Sequence, residues 1–260
     1  MLRTITATRY VTPLREGGSL PAIMEADDDG LYVVKFRGAG QGAKALIAEM
    51  VAGEIARALG LSVPEIVFME LDPVLGRSEP DFEIQALLKA SAGLNLALDF
   101  LPGALMFDVL DARLLEPMTA SSIVWFDAYV TNVDRTARNT NMLWWHRRLM
   151  LIDHGASLYF QHISSNYMER SRIPFSPIGK HVLLPFASLL TEADQYLKAR
   201  LTPTLLQGII DQIPDSWLEG NENFVDAAAQ RTAYLDYLLD RLGHSEVFVE
   251  EAMRARDQLV

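Results

Sequence analysis

Thr131-Asn132-Val133-Asp134-Arg135-Thr136-Ala137-Arg138-Asn139-Thr140-Asn141, followed ten residues on by Leu151-Ile152-Asp153-His154-Gly155, is the stretch on which the reading of this chain turns. An aspartate, an asparagine five residues later and a second aspartate closing an apolar run supply the oxygens that a magnesium–nucleotide site needs. Phosphoryl transfer asks for in-line positioning and charge neutralisation rather than covalent chemistry from the protein. Asp134 is therefore the candidate base for an attacking hydroxyl, a role worth roughly 10²–10⁴ in rate. Asn139 and Asp153 are the candidate metal ligands. Taken singly, the Asp134–Asn139 segment also suits a polar Asx-type turn, and Asp153 a strand-end cap. In this order they point to metal and phosphate.

The flanking sequence supports that placement. Residues 142–145 and 148–152 read as a β-hairpin that sets Asn139 and Asp153 at neighbouring ends, so the oxygens of Asp134, Asn139 and Asp153 can approach one metal ion. Residues 121–130 read as a short apolar helix running directly into the Asp134 loop, with Asp127 either buttressing that loop or facing solvent. Far upstream, Lys35 interrupts the apolar strand Tyr32-Val33-Val34-Lys35-Phe36. A charge there is costly unless a phosphate or carboxylate pairs with it, and Glu49 and Glu54 on the following helix are both in reach. Two glycine-rich segments, residues 15–19 and 38–42, offer backbone amides to phosphates, although each also reads as a plain turn.

The first part of the chain reads as strands at residues 5–13, 20–25, 31–36, 64–71 and 82–88, with turns at 27–30 and 72–80. A helix spans residues 43–59, with Gly60 placed to cap it. Beyond residue 103 the character becomes helical, including residues 224–242 with Leu235, Leu238, Leu239 and Leu242 in register and Gly243 as terminator. This predicts an α+β protein with an antiparallel sheet and one helix first, mainly helices afterwards, and a boundary near Gly103 that divides residues 1–103 from 104–260.

Composition narrows the function. Half of the chain is apolar and 22% charged, as in a folded globular protein. A net charge of −11 argues against nucleic acid or an anionic membrane as partner. The absence of cysteine excludes disulfides, thiolate catalysis and cysteine zinc sites. The five histidines form no helical metal motif, and neither a Walker loop nor a Gly-x-Ser-x-Gly elbow occurs. Arg170, Arg172, Lys180 and His181 read as a solvated basic loop, or as a dock for an acidic substrate. The longest apolar-looking run, residues 93–110, is interrupted by Asp99, Pro102 and Asp108, so it is not a membrane span; a cytoplasmic protein is expected.

The set Val-Val-Lys35-Phe, Glu49 ahead of Ala-Arg-Ala-Leu-Gly-Leu, Asn-Val-Asp134-Arg-x-x-x-Asn139 and Leu-Ile-Asp153-His-Gly resembles the HipA-like kinases, bacterial relatives of the protein and phosphoinositide kinases. The resemblance spans roughly residues 13–160. It implies a bilobal protein-kinase-like fold, use of ATP and Mg2+, and transfer of the γ-phosphate to a protein Ser or Thr. Lys35 would contact phosphate and Glu49 would be its helix partner. Asp134 would be the base, with Asn139 and Asp153 on the metal. Gly17, Gly18 and Ser19 would lie in the loop over the nucleotide. A protein substrate and a cognate regulatory protein are the partners it implies. Two departures stand out: Thr136 replaces a histidine common in the wider group, and His154 replaces the phenylalanine of protein kinases. A silent nucleotide-binding module and a small-molecule or lipid kinase are the competing expectations.

Overall fold

A computed structural model of the protein describes residues 1–14, 20–40, 42–77, 79–162, 167–221 and 223–259. Strands β1 (Thr4–Pro13), β2 (Ala22–Ala26) and β3 (Leu31–Lys35) form an antiparallel meander, followed by helix α1 (Gly42–Leu59) and strand β4 (Ile66–Leu71). Helix α2 (Phe82–Ala90) and strand β5 (Gly93–Asp99) complete this part. The sheet closes in the order β1-β2-β3-β5-β4, because β1 returns to β4 as a parallel pair.

The sheet-bearing part departs from the sequence expectation in three ways. Residues 82–88 form a helix rather than a strand: Asp81 caps it by accepting from Glu83 N, and Ile84, Leu87 and Leu88 share one helical face while Phe82 stays exposed. The missing strand is β5, which lies inside the apolar run at residues 93–110. The sheet is consequently not purely antiparallel, and it carries a second helix.

Alternation explains why β4 and β5 look continuously apolar. Val67, Met69, Leu71 and Ala97 point into the barrel with Met24, Val34 and Phe36. Ile66, Phe68, Leu96 and Leu98 point the other way, onto α1 and the helices beyond. A strand covered on both faces loses its polar period. Helix α1 lies close against the sheet at Gly53, where a Cβ would sit 2.4 Å from Ile66 Cδ1. It ends at Gly60, whose φ of +86° suits only glycine comfortably; Leu61 N then reaches back to Ala56 O at 2.9 Å.

After β6 (Leu105–Met106) comes α3 (Pro117–Tyr129), buried on every side from Ala120 to Tyr129. The hairpin of β7 (Met142–Trp145) and β8 (Arg148–Leu151) forms as expected, with β6 added at its edge. The remaining helices are α4 (Tyr167–Ser171), α5 (Leu190–Lys198), α6 (Pro203–Ile210), α7 (Asp215–Leu218), α8 (Ala227–Gly243) and α9 (Ser245–Asp257). Helix α8 starts three residues later than its pattern suggests, where the Asp226 side chain accepts from Ala229 N at 2.7 Å, and its last residue is Gly243. Among the described residues no helix is long and apolar enough to cross a membrane. The larger apolar cluster runs without a break from α1 and β4 through α3 to α8 and α9, so it ties the sheet-bearing part to the helices.

Candidate active site

The site starts from Asp127, near the end of α3 and fully buried. A carboxylate there must be satisfied completely. Arg135 Nε donates to Asp127 Oδ2 at 2.6 Å, Asn132 Nδ2 to Asp127 Oδ1 at 2.9 Å, and His181 Nε2 lies 2.8 Å from Oδ2. Because Leu183 N donates to His181 Nδ1 at 3.0 Å, the imidazole proton belongs on Nε2, facing Asp127. Burial alone would raise the Asp127 carboxyl, but the Arg135 charge and the His181 bond outweigh it and hold it far below the usual carboxylate range. Burial also lowers the His181 pKa, which keeps this histidine neutral. Arg135 in turn donates to the Asn141 carbonyl, so one buried carboxylate fixes both ends of the loop from residue 132 to residue 141.

That loop presents Asp134, half-buried, whose Oδ2 accepts from Asn139 Nδ2 at 2.8 Å and from Asn141 Nδ2 at 3.4 Å. Asp134 N itself donates to Asn132 Oδ1 at 3.1 Å. Thr136 and Asn139 exchange backbone hydrogen bonds of 2.9 and 3.2 Å, which closes the turn between base candidate and amide candidate. The hairpin then delivers Asp153: Ile152 N donates to Asn141 O at 3.0 Å, placing the end of β8 beside the end of the loop. Thr131, Asn141, Asp153 and Leu158 all hold left-handed backbone, at φ of 55°, 48°, 56° and 55°. Such conformations are unfavourable for a β-branched or bulky residue and concentrate where a site dictates geometry.

The second group comes from the sheet. Lys35, at the end of β3, donates from Nζ to Glu49 Oε2 on α1 and to Asp153 Oδ1, both at 2.6 Å. Glu54, the other sequence candidate for Lys35, pairs instead with Arg57 at 2.7 Å. Burial pushes the Glu49 carboxyl up, yet the Lys35 charge and then His154 hold it down at about 2. Burial likewise works against the charge on Lys35, and Glu49 and Asp153 outweigh it, so its pKa is raised. His154 is buried, with Nδ1 3.6 Å from Glu49 Oε1 and its ring edge-on to Phe126 at 5.6 Å between centroids. In the sequence this position stands out only as a departure from the kinase pattern, and nothing local shows that the histidine faces Glu49.

Asp134 and Asn139 thus touch directly, as do Lys35, Glu49 and Asp153, and the base of the hairpin joins the two groups. Gly17, Gly18 and Ser19 lie outside the described residues. A cleft lined by Lys35, Phe36, Ala39, Gly42, Asp153 and Gly155 opens at the amino terminus of α1, next to the glycine-rich segment that precedes it. The basic residues after Asp153 do not form one patch: Arg172 pairs with Asp240 at 2.7 Å and His181 is buried on Asp127. The signal for His181 was its place ahead of Val182-Leu183-Leu184, an apolar run that a surface residue seldom introduces.

Among the described residues no three His, Cys, Asp or Glu side chains gather as a ready-made metal cage. A cation shared with phosphates takes few protein ligands, each a hard oxygen. The half-exposed Asp153 carboxylate fits that need. So does Asn139, whose amide nitrogen faces Asp134 and leaves the carbonyl oxygen as the available ligand.

A family model described as "HipA-like kinase" matches residues 8–251. No curated protein matches the sequence. Among solved structures, the Helicobacter pylori proinflammatory kinase CtkA superposes with a TM-score of 0.57 at 16% identity, covering 99% of both chains. The Golgi casein kinase with Mn/ADP bound superposes with a TM-score of 0.54 at 10% identity, covering 96% of this chain and 73% of the other. These likenesses place the chain in the kinase fold.

Proposed function

The chain belongs to the HipA-like kinase family, and on that premise we propose that it transfers the γ-phosphate of ATP, with Mg2+, to a Ser or Thr hydroxyl of another protein. The observation that carries this reading is Lys35 held at 2.6 Å from both Glu49 and Asp153. A lysine clamped between a buried glutamate and a solvent-facing aspartate is fixed in position, yet can exchange the aspartate for a phosphate oxygen. Residues 1–103 would form the nucleotide-binding lobe and residues 104–260 the helical lobe that carries the acceptor chemistry.

In this reading Asp134 takes the proton of the attacking hydroxyl as that oxygen bonds to phosphorus and the bond to the ADP oxygen breaks. The amides of Asn139 and Asn141 aim the Asp134 carboxylate. The buried Asp127–Arg135–His181 group holds the loop rigid, so that the base does not have to be ordered during the reaction. Asn139 and Asp153 would hold the divalent ion, which when bound neutralises charge developing on the phosphate oxygens. The structural relative solved with manganese and ADP supports a nucleotide and a divalent metal.

Incubation with γ-labelled ATP and magnesium, first alone and then with a cell lysate, tests the reading. Label on this chain or on a lysate protein is the expected result. No transfer and no ADP release under either condition would overturn it.

A further inference from the structure

A cavity of about 340 Å³ opens beside the Asp134 loop, lined by Thr131 and Val133 of the loop, by Tyr159 and Phe160, and by the segment from Arg170 to Pro177. Val133 is the residue immediately before the candidate base, so whatever fills the cavity lies within a few residues' length of Asp134. The walls are apolar and include Ile173, Pro174, Phe175 and Pro177. Val133, Tyr159 and Ile173 are 43%, 58% and 49% exposed, an unusual display of large apolar side chains around one opening.

The cavity is firmly built. Arg241, buried at its floor, donates to the carbonyls of Ala128, Tyr129 and Ser171 at 2.7, 2.9 and 2.9 Å, which fastens the segment after residue 170 to the end of α3. Leu158 N donates to Val130 O at 2.8 Å and Tyr159 N to Thr131 Oγ1 at 3.3 Å, which fixes the opposite wall to the same loop. The volume lies within the roughly 300–1,000 Å³ typical of ligand pockets, and it leaves room for a large apolar side chain to enter whole. Arg170 stands exposed at the rim and forms no ion pair among the described residues, whereas Arg172 beside it is held by Asp240. In a chain of net charge −11 a guanidinium that has no ion pair among the described residues, beside an apolar cavity, favours an anionic group on whatever docks.

We propose that this cavity is the docking pocket of the acceptor protein, taking a large apolar side chain close to the phosphorylated hydroxyl, with an acidic residue of the same segment facing Arg170. This rests on the protein-kinase reading above and names its substrate class. Arg170 and Ile173 are specificity residues and take no part in the phosphoryl chemistry.

The test uses the full chain, magnesium, γ-labelled ATP and degenerate peptides with a fixed central Ser or Thr. Labelled peptides are expected to be enriched in Leu, Ile or Phe, and in Asp or Glu, at positions near the acceptor. Arg170→Glu should shift the ratio of kcat/KM for acidic over basic peptides by about tenfold toward the basic ones, through KM, while ATP hydrolysis without peptide stays unchanged. Ile173→Asp should remove the apolar preference with the same hydrolysis rate. Peptide labelling without selection, or with a selection that Arg170→Glu does not move, overturns the docking pocket and leaves the kinase reading intact. ATP turnover with no peptide labelled overturns the protein acceptor itself, and the pocket with it.

Discussion

Replacing Lys35 by Met isolates the electrostatic arrangement on which the site depends. Glu49 is fully buried and its folded carboxyl titrates at about 2 against an ordinary 4.5, so at neutral pH its ionised state contributes about 3 kcal/mol to stability. Lys35 is the chief source of that depression. Without it, burial dominates and the Glu49 carboxyl rises above its ordinary value, which turns a stabilising charge into a penalty at pH 7. The loss should be about 3–5 kcal/mol, as for other buried pairs that lose one partner, or a fall in Tm of about 6–20 °C for a chain of this size. The pH dependence has a definite sign. In the native chain the contribution of Glu49 is complete above about pH 4.5 and fades as pH falls toward 2. In the variant, protonation of Glu49 relieves the penalty as pH falls through its raised pKa. The deficit between the two proteins should therefore narrow steadily from pH 7 toward pH 4. Calorimetric melting of both proteins across that range is the assay. A variant that melts within about 2 °C of the native chain at pH 7, or one whose deficit widens on acidification, would refute the reasoning.

Asp134→Asn keeps a hydrogen-bonding side chain beside Asn139 but removes the base; kcat should fall by roughly 10²–10⁴ while nucleotide affinity, measured by calorimetric titration, is retained. Asp153→Ala should abolish magnesium-dependent nucleotide binding in the same titration, and unchanged binding would remove Asp153 from the metal site. Asp127→Ala leaves Arg135 buried without a carboxylate and should cost about 3–5 kcal/mol, visible as a lower Tm together with a lower kcat, since the loop that aims Asp134 loses its anchor. A variant as stable as the native chain would mean that water or another group satisfies Arg135.

The parts of the site that were legible in the sequence are those set by short spacings. Asp134 and Asn139 are five residues apart on one turn and meet at 2.8 Å. The apolar hairpin that delivers Asp153 is read from its own alternation. Lys35 in an apolar strand announces a need for partners, but not which ones: Glu49 and Glu54 were both admissible until α1 was seen to turn Glu49 inward and leave Glu54 to Arg57. The error at residues 82–88 has a similar origin. Phe82, Ile84, Leu87 and Leu88 support either period in so short a run, and the Asp81 cap together with the exposure of Phe82 decided for a helix. Strand β5 was hidden because both of its faces are covered.

By itself the sequence determined the chemistry on offer: oxygen ligands at fixed spacing, a strand lysine, no thiols, and an order of motifs that names the family. Only the tertiary structure decided which side chains meet. Lys35 reaches Asp153 across 118 residues and Asp127 reaches His181 across 54, and both contacts exist because whole elements pack against each other to bury their apolar faces. Periodicity within a segment records which face is apolar, but carries no information about the partner that covers it.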